Sequence, residues 1–222
     1  MSKKISFTIC VCNESRDLYS LVSFLKKVRD PNDDIDILVD SAHVTPQVQS
    51  VLEYFKDSIN VYSRDFDGNF SEHRNYQISK CTGDYIFVLD PDEMPQEALV
   101  RGVRKFFTDS KADILAVPRM NMCPGHTEEW ALNRFKLNEL GWINWPDYQT
   151  RIFKNNIGLK FDNAIHEMIT GSKNISGLPA EPRFSLWHIK SVDKQDNRWV
   201  KQESGEYIMT RPDSKNLYDS IS

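Results

Sequence analysis

The 222-residue chain holds no apolar run near the ~20 residues that a bilayer-spanning helix requires, so no transmembrane segment is expected. Its basic start, Met1-Ser-Lys-Lys-Ile-Ser-Phe7, enters a short strand pattern rather than the apolar stretch of a signal peptide. Only four cysteines are present, Cys10, Cys12, Cys81 and Cys123, and none shows the Cys-x-x-Cys spacing of a metal site. Reduced thiols in a cytoplasmic protein are the simplest account. Excess positive charge is also missing: a net charge of −4 gives no global attraction to nucleic acid or anionic lipid. Neither Gly-x-Gly-x-x-Gly nor Gly-x-x-x-x-Gly-Lys-Ser/Thr occurs, which disfavours dinucleotide and P-loop readings. Repeats, low-complexity tracts and flexible linkers are absent too, so one domain is expected over residues 1–222.

What is there centres on Asp84-Tyr-Ile-Phe-Val-Leu-Asp90-Pro-Asp92-Glu93. A five-residue apolar run after Gly83 reads as a strand buried on both faces, as in a mainly parallel sheet. Open α/β sheets bind ligands beyond the carboxyl ends of such strands. Pro91 biases Asp90 toward an extended conformation, so the carboxylates leave the strand on a stiffened turn. Acidic groups on such a turn suit a hard divalent cation that also takes phosphate oxygens as ligands. The plainer alternative is a solvated acidic turn capping a helix with Pro95 in its first turn.

Around that stretch, strand and helix alternate. Strands are expected at Ile5–Val11, Ile35–Asp40, Asn60–Ser63 and Ile114–Pro118. Helices are expected from a Ser15 cap to Val28, from Thr45-Pro46 through Phe55, over Ser71–Ile78, and over Pro95–Thr108. This order implies right-handed crossovers in a doubly wound sheet. Past Pro118 the pattern is less regular. Met120–Gly125 reads as loop, Glu128–Lys136 as a short helix, Gly141–Ile157 as irregular strands and loops, Arg183–Ile189 as a strand, and Asp193–Met209 as a polar helix. Cys12, Asn13 and Glu14 end strand one, and Asp40 ends strand two. These groups would either hydrogen-bond a base or ribose or cap their own turns.

Thr8-Ile-Cys-Val-Cys-Asn-Glu14, Asp40, Asn69-Phe-Ser-Glu-His-Arg-Asn75 and Gly83 to Glu93 together resemble, in order and spacing, the family 2 glycosyltransferases. Downstream, Tyr148-Gln-Thr-Arg-Ile-Phe153, Ala164-Ile-His-Glu167 and Leu186-Trp-His188 look like the subgroup with an Arg-Leu-Phe, His-Glu, His pattern. The resemblance implies a GT-A fold: a mixed, mainly parallel, nucleotide-binding sheet flanked by helices. Residues 1–118 would form the nucleotide-sugar half and 119–222 the acceptor half. It further implies a nucleotide-diphosphate sugar donor, with a UDP-sugar foremost, a Mn²⁺ or Mg²⁺ cofactor, and inversion at the anomeric carbon.

By that resemblance Asp92 binds the metal, and Asp90 contacts the metal or the ribose. Glu93 is an outer partner of the metal or a helix-entry charge. His188 is a third metal or diphosphate contact, or a structural histidine beside Trp187. Arg74 reaches the diphosphate or Asp90, or makes a structural ion pair. Arg151, and Arg198 further on, bind the diphosphate or brace a loop. Single-displacement transfer needs a base on the acceptor hydroxyl. Glu167 is the first candidate and Asp147 the second, because the Glu-Asp pair common in the family is absent here. Trp130, Trp142 and Trp145 would stack on a sugar or base, or pack in the core.

The acceptor is expected to be a surface glycan such as lipopolysaccharide core, a lipid-linked sugar, a protein, a small molecule, or a hydroxylated base in viral DNA. Peripheral membrane attachment, or a host cytoplasm for a viral enzyme, fits these variants. The DNA variant predicts a basic surface from Arg134, Lys136, Lys154, Lys160, Lys173, Lys190, Lys194 and Arg198. Two other classes remain: a nucleotidyltransferase that makes sugar nucleotides, and a non-catalytic carbohydrate-binding module.

Overall fold

The computed structural model describes residues 3–190 and 192, together with the backbone of Trp199–Lys201 and Tyr207–Met209. The first half alternates as its periodicity implies: β1 (Ile5–Val11), α1 (Ser15–Val28), β2 (Asp34–Asp40), α2 (Pro46–Phe55), β3 (Asn60–Arg64), α3 (Phe70–Ile78) and β4 (Tyr85–Leu89). The strands pair in parallel in the order β3-β2-β1-β4. Alternate side chains of β4 enter different cores. Phe87 and Leu89 join the cluster under α1, α2 and α4 (Glu97–Ser110), while Ile86 and Val88 join Phe153 and Phe161 on the other face. A strand buried on both faces is therefore what the continuous apolar run encodes. Gly83 precedes it for a steric reason: a Cβ there would lie 2.5 Å from the Ser6 backbone nitrogen.

The second half departs further from its sequence pattern. Glu93–Pro95 is a short strand, β5, rather than the opening of a helix, and α4 begins at Glu97. β6 runs over Ile114–Met122, so Met120, Asn121 and Met122 are strand and not loop. Pro118 interrupts the pattern at the point where β6 changes neighbours. Residues 114–116 pair β10 (Ile175–Gly177), and residues 119–122 pair β11 (Leu186–Ile189). A proline without an N–H fits between two such ladders. After the short helix α5 (Glu128–Leu132), the stretch expected to be irregular forms one 12-residue strand, β7 (Ile143–Lys154).

β7 runs antiparallel between β4 and β6, and the sheet continues β4-β7-β6-β11-β5. β8 (Lys160–Asp162) and β9 (Met168–Thr170) make a small ribbon packed against α3, and a 3-10 turn at Pro182–Phe184 replaces the start of the strand expected from Arg183. Trp199–Lys201 (β12) and Tyr207–Met209 (β13) pair antiparallel where a polar helix was expected. Ser15 is the first helical residue of α1 and not its cap, a place taken by Glu14. No disulfide joins the four cysteines. Among the described residues no helix is long and apolar enough to cross a membrane.

The topology places the site. β1, β2, β3, β4, β6 and β11 all point the same way, so their carboxyl ends share one sheet edge with the amino end of antiparallel β7.

Candidate active site

Asp90 leaves β4 at that edge between two guanidinium groups. Arg74 of α3 donates through Nη2 to Oδ1 at 2.5 Å, and Arg151 of β7 donates through Nη2 to Oδ2 at 2.6 Å. Burial pushes the Asp90 carboxyl up, but the two arginines outweigh it and hold it well below the usual carboxylate range. Burial likewise pulls Arg74 and Arg151 down, and their carboxylate neighbours more than restore the charged form. From Asp90 the ion pairs run both ways. Arg74 Nε donates to Glu167 Oε1 at 2.6 Å on one side. On the other, Arg151 Nη2 also donates to Glu93 Oε1 at 2.6 Å, and Glu93, fully buried, accepts from Arg119 Nη1 at 3.2 Å. Arg119 then grips Asp147 Oδ2 with Nη2 at 2.7 Å and Nε at 3.0 Å.

The result is an alternating chain, Glu167–Arg74–Asp90–Arg151–Glu93–Arg119–Asp147. It crosses from α3 to the β6–β7 pair and contains five of the residues singled out as donor or catalytic groups. Arg74, Arg151 and Glu93 in its interior are largely buried and paired, an arrangement in which removal of one partner is costly.

Its two ends differ. Asp147 accepts from Asn121 Nδ2 at 3.0 Å and Gln149 Nε2 at 2.7 Å besides the two Arg119 bonds. Burial pushes its carboxyl up, yet Arg119 and the amides together leave it below the usual range. Glu167 is held through Oε1 alone, and Oε2 has no hydrogen-bond partner among the described residues. The Glu167 loop is shaped by left-handed Asn163 and His166, and docks on α3 through the Phe70 N–H bond to the Ala164 carbonyl at 2.9 Å.

Asp92 faces a different partner. Its Oδ2 lies 3.7 Å from His188 Nε2, and His188 Nδ1 is 2.9 Å from Asn121 Oδ1. Two ligands each ~2.1 Å from one Mg²⁺ lie ~3.0 Å apart in adjacent positions and ~4.2 Å apart in opposite ones, so a separation of 3.7 Å puts this pair within reach of one cation. Both Asp90 oxygens are engaged by arginine, which sets Asp90 apart from that pair. No cluster of three or more His, Cys, Asp or Glu side chains suited to a metal occurs among the described residues. One carboxylate and one imidazole match the donor set of a cation that completes its shell with substrate phosphates and water.

The strand ends nearer β3 are occupied by their own turns. Cys12 and Asn13 N–H groups both donate to Glu14 Oε2 at 3.1 Å. Buried Asp40 accepts from the Ala42 and Phe66 N–H groups at 3.2 Å, and its Oδ2 lies 2.9 Å from His43 Nδ1.

A groove of about 690 Å³ opens beside Asp147, walled by Phe135, Lys136, Asn138, Trp145 and Tyr148. Trp142 and Trp145 meet edge to face at 5.4 Å, and Arg134 lies over Trp130 at 4.9 Å. All three tryptophans are half-buried rather than core. Of the basic residues considered for nucleic acid, Lys190 is buried and Lys154 pairs with Asp113 at 2.9 Å. Lys194 and Arg198 lie outside the described residues.

Arg119, Asn121 and Gln149 were not anticipated. The signal was period-two alternation: Asp147 and Gln149 share one face of β7, and Arg119 and Asn121 one face of β6. Reading residues 120–125 as loop hid it.

The family model described as Glycosyl transferase family 2 matches residues 6–175. The minor teichoic acid biosynthesis protein GgaB of Bacillus subtilis (strain 168) is 37% identical over 75 residues, 33% of this chain and 8% of that protein. Among solved structures, S. aureus TarS 1-349 in complex with UDP-GlcNAc superposes with a TM-score of 0.60 at 15% identity, covering 90% of this chain and 63% of that one. TarS without that boundary superposes at 0.57 and 14% identity, covering 84% of this chain and 37% of TarS. The chain thus spans less than two thirds of the relatives it matches, and the likeness to TarS shows a shared GT-A fold. Its matched sequence, carrying the whole ion-pair chain from Arg74 to Glu167, makes this chain a member of glycosyl transferase family 2.

Proposed function

We propose that the chain is an inverting glycosyltransferase that moves a sugar from a UDP-sugar to an acceptor hydroxyl, with a divalent cation at Asp92 and His188. The observation that carries this reading is the Glu167–Arg74–Asp90–Arg151–Glu93 chain at the carboxyl edge of the sheet, within the family-matched segment. The UDP-GlcNAc complex of TarS makes that nucleotide sugar the first donor to test.

In this reading residues 1–118 form the donor half and 119–222 the acceptor half. Asp40 and the Cys12–Glu14 turn line the base and ribose region, Asp90 accepts a ribose hydroxyl, and Arg74 and Arg151 hold Asp90 in place. When bound, the cation neutralises the charge that develops on the leaving diphosphate. Glu167 takes the proton of the acceptor hydroxyl through Oε2, while Arg74 fixes the carboxylate by Oε1. Asp147, saturated by four hydrogen bonds and held in its ionised form, is a poor base and serves to organise the acceptor side. The groove beside it seats a glycan acceptor, with Trp145 as a stacking wall.

The test is transfer from UDP-GlcNAc and other UDP-sugars with Mn²⁺, comparing Glu167→Gln with the parent. A general base contributes ~10²–10⁴-fold, so Glu167→Gln, which keeps an oxygen acceptor for Arg74, should lose turnover on that scale while remaining folded. Full turnover in that variant would remove Glu167 from the chemistry.

A further inference from the structure

β6 has a carboxylate partner on one side and an imidazole on the other, joined by a single amide. Arg119 and Asp147 are cross-strand partners on β6 and β7, and Asn121 and His188 are partners on β6 and β11. The register shift between Arg119 and Asn121 lets both side chains reach the same Asp147 oxygen. An ionised carboxylate only accepts hydrogen bonds. The Asn121 group that meets Asp147 Oδ2 at 3.0 Å must therefore be the NH₂, which leaves the Asn121 carbonyl oxygen facing His188 Nδ1 at 2.9 Å. A carbonyl oxygen only accepts, so Nδ1 must carry a proton. In neutral His188 the lone pair is then on Nε2, the nitrogen 3.7 Å from Asp92 Oδ2.

We propose that Asn121, oriented by Asp147, is a positioning residue that fixes His188 in the Nδ1–H tautomer and presents its Nε2 lone pair beside Asp92. Two consequences follow. Asp147 on the acceptor side acts on the donor side through a two-bond relay, which gives it a role other than general base. His188 needs no tautomer change to ligate a cation, and partners that orient a ligating histidine are worth ~10–100-fold in metal affinity. The inference rests on the proposed metal site for its purpose, but the tautomer itself exists without metal or sugar.

Long-range ¹H–¹⁵N correlation spectra of the metal-free full chain with labelled histidine read the tautomer directly. His188→Gln identifies the signal among the five histidines. The expected result is a protonated Nδ1 and an unprotonated Nε2 for His188. Asn121→Leu should shift His188 toward the Nε2–H form favoured by free imidazole, and lower Mn²⁺ affinity ~10–100-fold in a calorimetric titration. Asp147→Asn, whose amide no longer dictates how Asn121 lies, should give a mixture of tautomers and a smaller loss; it also serves if Asn121→Leu does not fold. An Nε2–H tautomer or an imidazolium in the parent, or a tautomer indifferent to both substitutions, would overturn the proposal and leave the glycosyltransferase reading intact. The expected tautomers with no Mn²⁺ binding would uphold the relay and count against the metal reading.

Discussion

At the α3 end of the ion-pair chain Glu167 accepts one bond from Arg74, whereas at the β6–β7 end Asp147 accepts four from Arg119, Asn121 and Gln149. The two carboxylates belong to one electrostatic network, yet only one keeps an oxygen without a hydrogen-bond partner among the described residues. A carboxylate saturated by donors is stabilised as an anion and loses basicity, so proximity to the site does not by itself make a base. The two candidates therefore differ in how many donors hold them.

Substitution of both ends should make that contrast measurable. Glu167→Gln is expected to cost ~10²–10⁴-fold in turnover. Asp147→Asn, acting through the Asn121–His188 relay, should cost about tenfold, and the cost should shrink as Mn²⁺ is raised. Equal losses for the two would erase the distinction.

The centre of the chain should respond in stability rather than in rate. Arg74 is buried between Asp90 and Glu167, so Arg74→Met strands Glu167, leaves Asp90 with Arg151 alone and should destabilise the fold by ~3–5 kcal/mol in urea unfolding. Exposed Arg134, treated the same way, should change stability by no more than ~0.5 kcal/mol.

Legibility differed between the two halves for a physical cause. In the first half, burial on both faces of β4 and one-sided burial of α1 and α4 leave period-specific apolar patterns, and those elements were read nearly to the residue. In the second half β7 is a half-solvated antiparallel strand, so its residues alternate between polar and aromatic instead of running apolar. Pro118 also imitates a strand end although β6 continues past it. The motif residues Asp90, Asp92, Arg74, Arg151 and Glu167 were visible as residue types in a set spacing. Arg119 and Asn121 were not, because their importance comes from strand register, which only pairing defines.

Smaller effects should mark the two faces of the cleft. If the groove beside Asp147 seats the acceptor as proposed, Trp145→Ala should raise the acceptor KM about fivefold (~1 kcal/mol) with kcat little changed, as expected of an aromatic wall. On α3, His73 is buried against Phe66 with Nδ1 lacking a hydrogen-bond partner among the described residues, and burial holds its pKa below the usual value. The unfolded chain therefore binds that proton more readily. The stability this contributes is complete above the unfolded pKa of ~6.5 and falls as pH drops below it. Denaturation midpoints between pH 7.5 and 5.5 should decline in the parent and decline less in His73→Gln.

The central claim is that the edge carrying Asp90 and Asp92 is a metal-assisted site for a UDP-sugar. Calorimetric titration of UDP into the full chain, with and without Mn²⁺ and in Asp92→Ala, tests it most directly. The account predicts UDP binding that requires Mn²⁺ and is lost in Asp92→Ala at an unchanged melting temperature. UDP binding with the same affinity in all three cases, or no binding in any of them, would contradict it.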